Sequence, residues 1–212
     1  MPGTRWAYAL VEGISVKDKD EQLEKIKRKL EEFVRDNYKI ETILSEERLS
    51  KWRDFQRAIG INPGKDRLTP ENLLRTVLKG KPIPNVNTVV DCANIVCLNN
   101  LNPQGAFDLD KIKGNISIRY AKKDEEYLEL FKENTYKLDS KEIIYSDEEK
   151  VYSRLHRDSE WTKVSKTTKN LLLQYDAISF QDDNELMDRI LEFAKLVTAI
   201  NGGKYSVHIV NP

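Results

Sequence analysis

Three stretches of this 212-residue chain place polar groups inside apolar sequence, where each needs a partner if it is buried. Asn87, Asp91 and Asn94 recur at intervals of four and three residues, which sets them on one face of a helix. Either Asn87 caps that helix while Asp91 and Asn94 hold neighbouring loops, or the three line one wall of a polar pocket. Gln104 and Gly105 belong to the second stretch, residues 102–112. It reads as a turn, in which glycine lets backbone approach a ligand closely, followed by a short acidic helix start. The third stretch, residues 154–162, compresses Arg154, His156, Arg157, Asp158, Glu160 and Trp161 into nine positions. A histidine titrating near neutrality can take a proton from water, an arginine can hold a phosphate or carboxylate, and an indole can stack on a ring. A solvated turn with internal ion pairs has the same composition.

Other chemistries lack their residues. There is no glycine-rich phosphate loop, no Gly-x-Ser-x-Gly elbow and no His-Glu-x-x-His, so nucleotide hydrolysis and serine-esterase chemistry of the familiar kinds are not expected. With two histidines, His156 and His208, and no Cys/His ligand spacing, neither a metal site nor a cofactor is expected. Cys92 and Cys97 would stand about 140° apart around a helix axis, so they should be buried thiols rather than a disulfide. No run of apolar residues approaches a membrane span, and residues 1–5 lack the layout of a secretory signal; a cytoplasmic protein is expected.

The 35 basic and 35 acidic side chains cancel, but they are segregated. Residues 61–123 carry ten basic against five acidic groups, whereas residues 124–150 carry four against ten. Residues 151–170 are again net basic and residues 171–212 net acidic. Such blocks describe a solvated surface, or a basic face for nucleic acid in which Arg67, Arg75, Lys79 and Lys81 would meet phosphates.

The elements that must position these groups follow from periodicity. Trp6–Val11 alternates as a strand that continues through Ile14–Val16, and Leu23, Ile26, Leu30, Phe33 and Val34 mark an amphipathic helix over residues 20–37. Further helices are expected over 45–60, with Ser45 as cap, from Thr69 with Thr69 as cap and Pro70 at the first turn, and over 87–99. From Gly114 the period becomes two, giving short strands at 116–120, 127–131, 143–145, 151–152 and 171–173. A helix opening at Asp182 and a strand over 205–210 complete an α+β architecture, with a mixed or antiparallel sheet and packing helices. Residues 1–60 are expected to form a strand and amphipathic helices packing on a core of residues 61–212, in one compact unit.

The order of segments Pro82–Asn94, Gly105–Ala121, Ile144–Asp147 and Thr168–Asn170 resembles the tRNA-binding and editing module of the bacterial phenylalanyl-tRNA synthetase β subunit, over roughly residues 65–178. The resemblance implies the fold of that module and, as activity, hydrolysis of a wrong amino acid from a charged tRNA. Asn94 matches the family's pocket asparagine, while Ala93 stands where bacterial synthetases have threonine. Gly105 replaces a histidine of the family's Pro-Leu-His-Ala-Phe-Asp turn, Gln174 falls where a glutamate reads a tyrosine hydroxyl, and Leu155–Glu160 replaces a glycine-rich loop. His156 is expected to fill the space left at Gly105.

The resulting expectation is a freestanding protein that hydrolyses the ester of a mischarged tRNA in trans. His156 and Asn94 would act on the ester; Asn87, Asp91, Gln104, Gly105, Arg157, Asp158 and Gln174 would hold the aminoacyl group. Its partners would be tRNA and the amino-acid moiety, with no membrane. The alternatives are a non-catalytic module binding an amino acid or small metabolite, and a synthetase-associated module that docks on RNA or protein through its charged helices.

Overall fold

The computed structural model describes residues 4–179 and 181–210. Strand β1 (Thr4–Glu12) is followed by helices α1 (Glu21–Asn37), α2 (Glu47–Ala58), α3 (Thr69–Leu78) and α4 (Thr88–Asn100). Strands β2 (Gln104–Asp108), β3 (Ser117–Tyr120), β4 (Glu126–Tyr127), β5 (Tyr136–Lys137), β6 (Ile143–Ser146), β7 (Val151–Arg154), β8 (Arg157–Asp158) and β9 (Asn170–Ile178) come next. Helix α5 (Asp183–Asn201) and strand β10 (Lys204–Val210) complete the order, as the α+β reading requires. The first antiparallel sheet runs β10-β1-β9-β2, the second β3-β6-β7-β8, and β4 pairs with β5.

Alternation along β1 decides which layer meets which. Ala7, Ala9 and Val11 face the helices with Leu171, Leu173, Tyr175 and Ala177 of β9, against Val89, Cys92 and Val96 of α4 and Leu186, Ile190 and Phe193 of α5. The intervening residues, Trp6 of β1 and Leu172 of β9, face the second sheet and bury themselves with Phe107, Tyr145 and Tyr152. Strand β9 is therefore covered on both sides, which is why its sequence reads as a continuous apolar run at Leu171–Leu173.

Caps fix the ends that matter here. Asp20 accepts from the backbone N–H groups of Gln22 and Leu23, and Asn87 from those of Val89 and Val90, starting α1 and α4 where their side chains require. Ser45 and Thr69 do not cap: Ser45 ends a 3₁₀ turn and Thr69 is already helical, with Pro70 supplying the fixed φ of the first turn. At its C-terminus α4 stops on Leu101 in the left-handed region, and Asn102 then clamps three elements together. Its Nδ2 donates to the carbonyls of Pro103 and Asp176, and its Oδ1 accepts from the Trp52 indole at 3.0 Å.

Three expected elements differ. Residues 14–16 leave the strand, because the backbone N–H groups of Ile14 and Ser15 bond to the Lys169 and Asn201 carbonyls rather than to a neighbouring strand. Of the stretch from Tyr127 to Phe131, Tyr127 belongs to the short strand Glu126–Tyr127 and Glu129 makes an isolated bridge to Ser159, before Phe131 turns at φ 65°. The turn expected at 102–108 is strand β2, which pairs with β9 over Gln104–Asp108; Gly105 fills a ladder position rather than a loop.

Candidate functional site

The face of the first sheet that meets the second is ordered in cross-strand rows. His208, Tyr8, Gln174 and Gly105 are successive register partners across β10, β1, β9 and β2. Beside this row lie Val210, Trp6 and Asp176, and on the other side Ser206, Leu10, Leu172 and Phe107. An acid and an amide, Asp176 and Gln174, thus project at alternate positions of one strand into the space between two sheets.

That space is held by a chain of hydrogen bonds. The Tyr152 hydroxyl donates to Gln174 Oε1 at 3.2 Å, Gln174 Nε2 donates to Asp176 Oδ1 at 2.8 Å, and the Tyr145 hydroxyl donates to the same oxygen at 3.0 Å. Burial pushes the Asp176 carboxyl up to about 6; the two donors oppose the rise and the charge of Asp158 adds to it. Burial, reinforced by Asp176, also raises the hydroxyls of Tyr145 and Tyr152, so both stay protonated as donors.

Strands β7 and β8 form a tight hairpin in which Ser153 faces Asp158 and Arg154 faces Arg157, leaving Leu155 and His156 as its two-residue tip. Leu155 anchors the tip by packing with Trp52, Leu68 and Ile178. His156 goes under with it, its side chain only 4% exposed. Burial first, then the guanidinium of Arg154, depresses its imidazole to about 4, so it is neutral at physiological pH; Asp66 opposes and Arg157 adds. Arg154 Nη2 lies 3.4 Å and the Asp66 carboxylate 3.6 Å from His156 Nε2; a guanidinium can only donate, so when Nε2 accepts from it the imidazole proton sits on Nδ1. Among the described residues that buried Nδ1 has no partner.

Sheet floor and hairpin enclose a chamber of about 40 Å³, room for a few waters. It brings together six of the residues expected to act on or hold the aminoacyl group, Gln104, Gly105, His156, Arg157, Asp158 and Gln174, with Arg154 of the same cluster beside them. Gln104 is tied by Nε2 to the Ala93 carbonyl at 2.6 Å, while its Oε1 has no partner among the described residues. Asp158 accepts from Ser153 Oγ at 3.0 Å, and Arg157 reaches the Glu129 carboxylate. His156 lines the same chamber as Gly105 but does not fill the space above it. The Phe107 ring does, so a Cβ on Gly105 would lie 2.5 Å from Phe107 Cζ.

Asn87, Asp91 and Asn94 are not among the lining residues. Asn87 caps α4, and Asp91 is committed to a buried ion pair with Lys27 Nζ at 2.8 Å and to the Val86 backbone N–H. Of the basic residues, Arg67 and Arg75 both lie against the buried Glu71, which Arg53 also meets, whereas Lys79 and Lys81 are exposed. Sequence reasoning missed Asp176 and Tyr145. The signal for Asp176 was there: Gln174 and Asp176 are two polar residues at a period of two inside an otherwise apolar strand.

Cys92 and Cys97 are buried free thiols, and burial raises both. Among the described residues no group of three or more His, Cys, Asp or Glu side chains is placed to hold a metal ion, and no helix is long and apolar enough to cross a membrane.

The sheet pair, the α4–β2 clamp and the β7–β8 hairpin are contained within the residues matched by one family model, that of the B3/4 domain, over residues 51–183, apart from strands β1 and β10. The chain belongs to the B3/4 domain family. Its similar relatives are β subunits of phenylalanine–tRNA ligase. That of Francisella tularensis subsp. tularensis is 41% identical over 74 residues, covering 35% of this chain and 9% of the relative. That of Fusobacterium nucleatum subsp. nucleatum is 31% identical over 101 residues, covering 48% of this chain and 13% of the relative. The chain therefore spans a small fraction of the length of the curated relatives it matches. Among solved structures, an N-terminal fragment of the phenylalanyl-tRNA synthetase β subunit from Pyrococcus horikoshii aligns with 98% of this chain and 50% of its own length, at 18% identity and a TM-score of 0.48.

Proposed function

We propose that the chain hydrolyses the aminoacyl ester of a charged tRNA, acting in trans, at the chamber between Gly105, His156 and Asp176. The observation that carries this reading is a chamber with room for a few waters, bordered by a carboxylate with a raised pKa and a neutral histidine whose buried Nδ1 has no partner among the described residues. Hydrolysis of an ester needs a held water, a base to take its proton and a donor for the developing oxyanion. A carboxyl titrating at about 6 is ionised at neutral pH yet more basic than a solvated aspartate, so Asp176 takes the proton. The proton of His156 Nδ1 serves the oxyanion. This shifts the role expected of His156 from base to donor, because an imidazole depressed to about 4 is a weaker base than Asp176. Gln174, with one N–H and one lone pair left after its bonds to Asp176 and Tyr152, reads the aminoacyl group. Family membership supports the tRNA ester as substrate, and exposed Lys79 and Lys81 supply phosphate contacts, with Arg67 and Arg75 partly neutralised by Glu71.

The test is deacylation, at low salt, of a panel of correctly and wrongly charged tRNAs. Release from a mischarged species is expected, increasing with pH through about 6 as Asp176 ionises. Asp176→Asn and His156→Gln should each slow it by about a hundredfold or more. No release from any species, or an Asp176→Asn variant as active as the parent, overturns the reading.

A further inference from the structure

The chamber is not the larger opening between the two sheets. On the other side of the Gln174–Tyr152 pair a cleft of about 470 Å³ opens toward β10. Its floor is the outward face of β1 and β9, with Trp6, Tyr8, Leu10 and Leu172, and Val210 stands at its β10 edge. Three of these floor residues and Val210 lie outside residues 51–183, the part of the chain that the family model matches. The cleft is thus lined in part by residues outside the matched span, and of its lining the ester-hydrolysis reading uses only Gln174.

Its chemistry is one-sided. Among the described residues no charged side chain lines it, in contrast to the chamber with Arg157, Asp158 and Asp176. Trp6, Tyr8 and Tyr152 supply aromatic walls, Leu10, Ile116 and Ile118 aliphatic ones, and the amides of Gln174 and Asn115 the side-chain amide groups. The walls are set in advance of any ligand. Tyr8 is stacked on His208 with ring centroids 4.9 Å apart, Tyr152 is bonded to Gln174, and the rim at Asn115 is held by its backbone and side-chain N–H groups on Glu148 Oε1. A space of this size lies within the range of small-molecule sites and outside what a packed inter-sheet core leaves open.

We infer that this cleft is a binding site for a neutral aromatic molecule of one or two fused rings, its ring between Trp6, Tyr8 and Ile118 and a polar substituent on the Gln174 amide. An anionic or zwitterionic ligand has no counter-charge there, and its desolvation would go uncompensated. The inference shares Gln174 with the ester-hydrolysis reading but is tested apart from it, as binding in the absence of tRNA.

Indole is the probe, with indole-3-acetate as its anionic counterpart, each titrated calorimetrically into the full chain without tRNA. Saturable one-to-one binding of indole is expected, weaker for the anion by about tenfold or more, and abolished in Leu10→Trp, whose ring fills the floor. Should Leu10→Trp fail to fold, Ile118→Trp fills the cleft from the opposite wall and must abolish binding in its place. Absence of saturable indole binding, equal affinity for the anion, or binding that survives filling in a folded variant overturns the site.

Discussion

The two faces of the first sheet are filled on opposite plans. Toward the helices β1 offers Ala7, Ala9 and Val11, all at 0% exposure, and these small side chains let α5 come down close to the sheet. Toward the second sheet the same strand offers Trp6, Tyr8 and Leu10, large side chains that floor an open cleft. The polar residues of β9 follow the same division: Gln174 and Asp176 face the second sheet, and on the helix side only Tyr175 carries a polar atom, its hydroxyl buried without a partner among the described residues. One strand sequence therefore encodes a packed wall and a working surface by simple alternation. Stability belongs to the first face and ligand chemistry to the second.

The largest effect that would test this division is steric. Ala9→Leu should cost about 3 kcal/mol or prevent folding, since a packed face has no room for added methylenes, while Leu10→Phe, one position along, should change stability by less than about 1 kcal/mol. Thermal unfolding of the pair measures both; equal costs would mean that the faces are equally full.

Acid should then separate two of the titrating groups of the working face, Asp176 and His156. Asp176 has a raised folded pKa, so its contribution is fully present below its unfolded value near 3.8 and is lost as pH rises through about 6. His156 has a depressed one, so its contribution is present above its unfolded value near 6.5 and is lost as pH falls toward about 4. Between these limits the two slopes oppose each other in the parent. His156→Gln should therefore gain stability relative to the parent on acidification, and Asp176→Asn should lose it, each by on the order of 2 kcal/mol. Unfolding in urea at several pH values reads the two differences, and parallel curves for all three proteins would remove both groups from the buried face.

Two smaller changes sharpen the picture further. Gly105→Ala forces the Phe107 ring from its place against Tyr152 and should cost about 1–2 kcal/mol, an exception to the tolerance of this face that marks where it is full. Tyr8→Leu, which removes only the stack on the exposed His208, should cost about 0.5 kcal/mol; a larger loss would make that edge part of the core.

Periodicity made most of the fold legible. The alternation at Trp6–Val11 and the helical spacing from Leu23 to Val34 became elements close to where they were expected, and of the two readings of Asn87 the cap is the one observed. Propensity failed at β2, where Asn102, Pro103 and Gly105 have turn chemistry; the Asn102 clamp and pairing to β9 override it. The site was legible as residue types but not as neighbours. Gln104, His156 and Gln174 meet in one chamber because a hairpin tip is anchored by Leu155 beneath Trp52, a tertiary contact that leaves no periodic trace. Asp91 was singled out for its polarity on an apolar helix, and its partner Lys27, far off in sequence, could not be read from spacing.

The position of β1 has a consequence for how the molecule comes together. Trp6 pairs on one side with Val210 and on the other with Asp176, so the strand that floors the cleft is made before both of the strands it pairs with. Until β9 appears, its aromatic residues have no strand to lie against, and closing so long a loop makes this pairing slow. The helical hairpins α1 to α4 can organise meanwhile from local contacts. The cleft is then the last feature to be completed, and a molecule bound in it would hold the early and late parts of the chain in register.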